Sequence, residues 1–270
     1  MDKNAEFLHC FWAIFMKNLF TFYIIYDIIL GEKFSGGYLM RLDKFLSELG
    51  KATRSEGGKL IRSGKVSVNG EVIKKPDFKI DPENDKISLL GEVISYKKFT
   101  YIMLNKPEGY VSATDDENEK TVLDLVNDED RRRGLFPCGR LDKNTLGLVI
   151  LTNDGDGAHR VLSPKHHVSK VYKFESKFPL SESDVNALEG GVDIGGYLTK
   201  PCKIKLYNNL QSGEITLTEG KYHQIKRMLT AVNNKITYLE RISFGGIMLD
   251  PKLKRGEWRY LTSDEEDIFK

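Results

Sequence analysis

The stretch LFPCGRLDKNTLGLVILTNDGDGAHRVLSP, residues 135–164, decides the reading of the chain. Within it LGLVILT, residues 146–152, is a near-continuous apolar run of strand length and has the look of a buried strand. The loop before it, GRLDKNT, sets polar and charged groups at the mouth of that element, a place where a rigid scaffold can hold a reactive side chain. After it, Asp154 and Asp156 stand one residue apart among glycines. The later acidic ligands of a calcium loop are missing, so DGDGAHRVL reads as a turn and helix start rather than a metal site.

Outward from this segment, Tyr101 to Leu104 forms an apolar run suited to a strand, which Lys106, Pro107 and Gly109 stop in a turn. TVLDLV, from Thr121, is an amphipathic helical fragment. HHVSKVYKFESKF changes from polar to alternating strand around Tyr172, SESDVNALEGG predicts a short helix and turn, and KIKLY and GEITLTEG predict strands. KYHQIKRMLTAV predicts a helix whose buried face is Ile225, Met228, Leu229 and Val232, with Lys226 and Arg227 near its start and aimed at a cleft. ISFGGIMLDPKLKRGEWRYLTSDEE, from Ile242, supplies strand, turn and strand with a charged finish.

Residues 40–99 form a smaller unit. Leu42, Phe45, Leu46 and Leu49 make one helical stripe that Gly50 ends. Thr53 and Glu56 have capping-box spacing and launch a second helix toward Gly64. Gly57 and Gly58 each weaken that helix by roughly 1 kcal/mol relative to Ala, which calls for a close helix contact or stabilisation by docking. VSVNGEVI is a hairpin around Asn69 and Gly70. From Arg41 to Lys79 ten basic groups face five acidic ones, and Arg54, Lys59, Arg62 and Lys65 gather around the second helix. Such a face can dock on phosphates with little regard to base identity, or be a solvated lysine-rich surface.

The first 39 residues differ from the rest: they hold ten of the 28 aromatic residues. Their apolar stretch from Phe7 has membrane-spanning length but is interrupted by Lys17 and Asp27, and its head is a poor signal peptide. The favoured reading is translated upstream sequence with the functional start at Met40; a membrane anchor and an extra packing helix are the alternatives.

The 270 residues, 40% hydrophobic and 30% charged, describe a globular chain, and the net charge of +2 neither requires nor excludes nucleic acid. Cys10, Cys138 and Cys202 have no paired spacing, which argues against a disulfide scaffold or thiolate zinc site and for a reducing cytoplasm. There is no HExxH, phosphate-binding or dinucleotide-binding motif. Cys138 has an apolar neighbourhood and reads as core. The residues do contain the parts of a carboxylate-centred site: Asp142, Arg140 two residues before it, and Lys226 and Arg227 from another element. A nearby cation favours ionised carboxylate, as a nucleophile or base needs; a structural salt bridge is the plain alternative.

Two resemblances sharpen this. RLDKFLSELG followed by TRSEGGKLIRSGKVSVNGEV resembles an S4 RNA-binding domain, which implies structured RNA against Arg41, Lys44, Arg54, Ser55, Lys59, Arg62 and Lys65. LNKPEGYV, GRLDKNTLGLVILTNDG, SKVYKF, EGKYHQIKRML and RISFGGIMLDPKLKRGEWRYLT resemble, in order, the motifs of bacterial pseudouridine synthases. Together they cover Met40 to about Thr262. The implied fold is α+β: a helix-hairpin S4 module at 40–99, then a catalytic domain at 100–270 around a mainly antiparallel central sheet.

Carried over by position, the resemblance makes Asp142 the catalytic aspartate, Tyr172 the tyrosine that stacks on the uracil, and Lys226 the cation paired with the carboxylate, with Arg227 as the neighbouring alternative. Arg140 would organise the loop and the flipped nucleotide, Lys106 would build the floor of the site, and Leu229 would be a buried wall. The implied reaction needs no metal or cofactor. The S4 module with YHQIKRM is most similar to the branch that modifies uridine 516 of small-subunit 16S ribosomal RNA, as free RNA or in an assembly intermediate. That branch implies a cytoplasmic monomer with no membrane partner. A synthase for large-subunit RNA, or a noncatalytic RNA-binding assembly factor, are the competing readings.

Overall fold

The computed structural model describes residues 38–163, 165–166 and 168–270. The aromatic leader, with its three readings, lies outside the described residues except for its last two positions. Strand β1 (Met40–Arg41) runs directly into helix α1 (Leu42–Glu48), and α2 (Arg54–Arg62) follows. Then come β2 (Val66–Val68), β3 (Glu71–Val72), β4 (Lys79–Ile80), β5 (Ile87–Leu89) and β6 (Glu92–Ile94). β1 pairs with β4, and the others form an antiparallel sheet in the order β3-β2-β5-β6.

The helical stripe is buried as its spacing predicts: Leu42, Phe45, Leu46 and Leu49 pack with Ile61, Val66, Val68, Ile80 and Ile87 in one core. The capping box forms reciprocally, with the Glu56 amide donating to Thr53 Oγ1 at 3.3 Å and the Thr53 amide to Glu56 Oε2 at 2.8 Å. Gly57 and Gly58 are both buried, and a Cβ on Gly57 would meet the Leu46 side chain at 3.6 Å. Gly57 therefore marks the face on which α1 lies. Asn69 (φ 52°) and Gly70 (φ 90°) take the left-handed conformations of a tight hairpin.

The larger sheet begins with β7 (Tyr101–Lys106). It is followed by a 3₁₀ turn at Val122–Leu125, α3 (Asp128–Arg131), β8 (Phe136–Cys138), β9 (Leu146–Thr152), α4 (Gly155–Leu162), β10 (Lys170–Ser176) and α5 (Glu182–Gly190). The chain continues through β11 (Lys203–Leu206), β12 (Ser212–Leu217), α6 (Gln224–Ala231), β13 (Ile236–Phe244), β14 (Ile247–Met248), β15 (Trp258–Tyr260) and α7 (Ser263–Glu266). The order is β11-β12-β10-β13-β9-β7-β15, with β14 on β13 and β8 on β9. Every pairing is antiparallel except β13 with β9, in agreement with the expected mainly antiparallel sheet.

Alternation along the central strands feeds two cores. Ile102, Leu104, Val149 and Leu151 enter one; Tyr101, Met103, Leu148 and Ile150 enter the other. Both faces are covered, which is why LGLVILT is continuously apolar. Two local expectations change. β7 runs through Lys106, which pairs with Gly147, so the turn starts only at Pro107. TVLDLV makes a single 3₁₀ turn rather than an α-helix, closed by Asp124 Oδ2 accepting from the Thr121 amide at 2.8 Å. Asp154 caps α4 by accepting from the Gly157 amide at 2.9 Å, the helix-start reading of that loop.

The parallel contact sets Leu146 and Gly147 against Glu240 and Arg241. Gly147 has φ 97°, and a Cβ there would run into the Arg241 backbone. Gly147→Ala should therefore cost roughly 2–5 kcal/mol from backbone strain and overpacking. Gly57→Ala, in ordinary helical conformation with room for a methyl, should instead stabilise by about 0.5–1 kcal/mol. Denaturant unfolding of the two variants checks both signs.

Candidate active site

The loop between β8 and β9 is held from two directions. Ser112 grips the peptide unit of Leu141: its Oγ accepts from the Leu141 amide at 3.0 Å and donates to the Leu141 carbonyl at 3.1 Å. From below, the fully buried Lys106 ammonium donates to the carbonyls of Pro107, Lys143 and Thr145 at 2.9–3.0 Å. All three donors are used on the backbone, so Lys106 holds the loop from beneath. Burial pushes its pKa down to about 8, against the opposing pull of Asp142 and Glu108.

Held this way, Asp142 extends into a cleft with a quarter of its side chain exposed. Lys226 Nζ, from the first turn of α6, donates to Asp142 Oδ2 at 2.7 Å, and His223 Nε2 lies 3.5 Å from Oδ1. The start of α6 is fixed by Gln224, which is buried, donates to Glu219 Oε1 at 2.7 Å and accepts from the Lys221 amide at 2.8 Å. His223 takes a left-handed conformation (φ 49°, ψ 33°), and the exposed Tyr222 ring stacks on its imidazole at 3.9 Å between centroids. Tyr172, Leu217, Leu239 and Ile225 line the apolar side of the cleft and Arg140 its rim.

The residues expected at the site divide accordingly. Asp142, Tyr172, Lys226 and Arg140 meet around one cleft. Arg227 does not join them: its nearest polar contact is the Tyr222 carbonyl at 3.5 Å, and it is Lys226 whose register faces Asp142. Leu229 is buried in the core and not a cleft wall; Ile225, one helical turn earlier, takes that place. Cys138 is buried and its thiol is pushed up to about 11 by burial, as a core residue. Among the described residues no group of three or more His, Cys, Asp or Glu side chains could hold a metal ion.

On the first module, Arg41 and Arg54 both reach the buried Asp43, at 2.8 and 3.1 Å, and Lys44 is engaged by Tyr38 and Glu48. Ser55, Lys59, Arg62 and Lys65 are exposed around α2 and carry the open part of that face. Sequence reasoning passed over His223 as a neighbour of Asp142 and over the buried Arg241. The second had a signal: in ITYLERISF, Arg241 falls in the inward phase with Leu239 and Ser243.

Comparison with known proteins gives two family matches, "S4 domain" over residues 40–87 and "RNA pseudouridylate synthase" over residues 100–231. The chain is 46% identical over 231 residues to the uncharacterized RNA pseudouridine synthase YtzG of Bacillus subtilis, covering 84% of this chain and 96% of that protein. It is 40% identical over 229 residues to ribosomal small subunit pseudouridine synthase A of Escherichia coli, covering 84% and 98%. A crystal structure of a pseudouridylate synthase, 36% identical, superposes with a TM-score of 0.60 over 85% of this chain and 99% of that one.

Lys106 makes the site pH-dependent. As pH rises through about 8 the ammonium loses a proton, one carbonyl loses its donor and the loop loosens, so single-turnover rates should fall above that pH. Stability should respond in the opposite sense. The folded-state pKa lies below the ordinary 10.5, so between about 8 and 10.5 the unfolded chain binds more protons and this group's contribution favours the folded state increasingly. Lys106→Met should be about tenfold slower at neutral pH and lack the alkaline limb. A falling rate matched by falling stability over the same window would exclude the loop explanation.

Proposed function

The chain belongs to the RNA pseudouridylate synthase family and is an isomerase, and from that premise we propose that it converts uridine 516 of small-subunit 16S ribosomal RNA, in reference bacterial numbering, to pseudouridine. The observation that carries the reading is the Asp142 carboxylate held 2.7 Å from Lys226 in a cleft that also contains Tyr172. The target is supported by the match to a relative named for the small ribosomal subunit and by the S4 module in front.

The reaction is intramolecular. The N1 to C1′ bond of uridine breaks, the uracil turns while still enclosed, C5 bonds to C1′, the C5 proton passes to a base, and N1 takes up a proton, so that the product is an isomer of the substrate. Asp142 acts at the ribose, either by attack on C1′ or by taking a proton from C2′. Lys226 keeps the carboxylate ionised and oriented, and Tyr172 offers a ring on which the loose base can stack. The base must first leave its stack, at a cost of a few kcal/mol that RNA contacts elsewhere offset. The open face of α2 supplies such contacts through phosphates, which position RNA without reading its sequence.

Four outcomes test this. Mapping pseudouridine across total ribosomal RNA with and without the gene should show one lost site, in 16S RNA; a site lost from large-subunit RNA overturns the target. Asp142→Asn keeps size and hydrogen bonding but removes the ionised oxygen, so it should fold, bind RNA and form essentially no pseudouridine in a single-turnover assay; near wild-type product sinks the assignment. Tyr172→Phe should be impaired less than Asp142→Asn. Replacing Lys59, Arg62 and Lys65 together with neutral residues should weaken binding and flatten its salt dependence while the catalytic domain stays folded.

A further inference from the structure

Next to the cleft lies a second cavity of about 250 Å³ that shares Arg140, Tyr172, Glu219, Gly220 and Lys221 with it. Its inner wall is cationic. Across β10 and β13 Tyr172 is paired with Arg241 and Lys170 with Phe244; the register shift between Val171 and Tyr172 passes over Ile242. The guanidinium of Arg241 and the ammonium of Lys170 both lie against the Phe244 ring, at 5.1 and 5.6 Å.

Among the described residues neither charge is neutralised. Arg241 is 2% exposed; its Nε donates to the Leu148 carbonyl at 2.8 Å, and its Nη2 is sealed from solvent with no hydrogen-bond partner among those residues. Lys170 donates to the Val168 carbonyl at 2.9 Å. Among the described residues neither makes an ion pair, and the acid on the cavity wall, Glu219, is already engaged by the Tyr197 hydroxyl, the Lys200 amide and Gln224. Burial, with the charge of Arg241, lowers the Lys170 pKa. Two adjacent cations in a half-enclosed cavity are an unfavourable arrangement that one anion would relieve.

We propose that this cavity receives a phosphodiester of the substrate RNA, the one adjoining the nucleotide whose base lies on Tyr172, held by Lys170 and Arg241 with Arg140 at the rim. Directly opposed positions on paired strands stand about 5 Å apart, which suits a base on Tyr172 and its own backbone beside Arg241. The inference rests on the reading of the chain as an RNA-modifying enzyme with Tyr172 as the base platform.

Lys170 is the residue to change, because Arg241 sits in the core and its replacement can fail to fold. The probe is a 16S RNA fragment containing uridine 516, bound to the full chain across a salt series. Lys170→Gln should bind about tenfold more weakly, with the slope of log affinity against log salt reduced by roughly 0.7–0.9, and Lys170→Arg should restore both. A single uncharged methylphosphonate on one side of uridine 516 should cost wild type a similar factor and cost Lys170→Gln nothing further. An unchanged salt slope, or losses from methylphosphonate and Lys170→Gln that simply add at both flanking positions, overturns the proposal. Wild type that binds the fragment and shows this coupling but forms no pseudouridine would overturn the functional reading while leaving the phosphate site in place.

Discussion

A buried ammonium under a loop is the constraint on which this site depends. Among the described residues Lys106 has no carboxylate partner within bonding distance, and it satisfies its charge with three backbone carbonyls, two of them in the segment that carries Asp142. Carbonyl acceptors have fixed directions, so the charge is stable only when Lys143 and Thr145 present their oxygens to it. The cost of burying the cation is thereby converted into loop geometry. Ser112 adds the second clamp on Leu141, and the Asp142 carboxylate leaves the loop between the two.

The cations are disposed in layers around that carboxylate. Lys106 lies beneath it and spends its donors on the backbone, Lys226 meets it directly, and His223 stands at the edge. Only Lys226 has a geometry that orients Asp142 strongly, since a charge-assisted bond at 2.7 Å in a partly sheltered cleft outweighs a 3.5 Å approach from an imidazole. On the first module a related economy operates: the buried Asp43 fixes Arg41 and Arg54, leaving the cations around α2 to face outward.

Much of the fold was legible because its local signals agree with its tertiary demands. The stripe from Leu42 to Leu49, the Thr53 capping box, the Asn69 turn and the uninterrupted LGLVILT run each have one physical reading. The site was legible in part: Asp142 and Lys226 are 84 residues apart and only a family pattern joins them in sequence. What escaped was set by three-dimensional satisfaction. Lys106 looks like a strand terminator until its carbonyl partners are seen, Leu229 shares a helical face with Ile225 but not its cleft, and the choice between Lys226 and Arg227 is a question of helix phase. Arg241 was hidden because a charged residue in an inward strand position contradicts the pattern that would locate it.

The parallel pairing of β13 with β9 has a consequence for how the molecule is made. The contact of Leu146 and Gly147 with Glu240 and Arg241 joins segments 94 residues apart, whereas the first module closes its core with neighbours in sequence. Loop-closure entropy delays such distant pairings, so the module ahead of the catalytic domain can form while the central sheet still lacks β13. During synthesis the N-terminal unit emerges first, and the catalytic half remains an incomplete sheet with open strand edges until β13 leaves the ribosome. The nascent chain thus acquires its basic face before it acquires its chemistry.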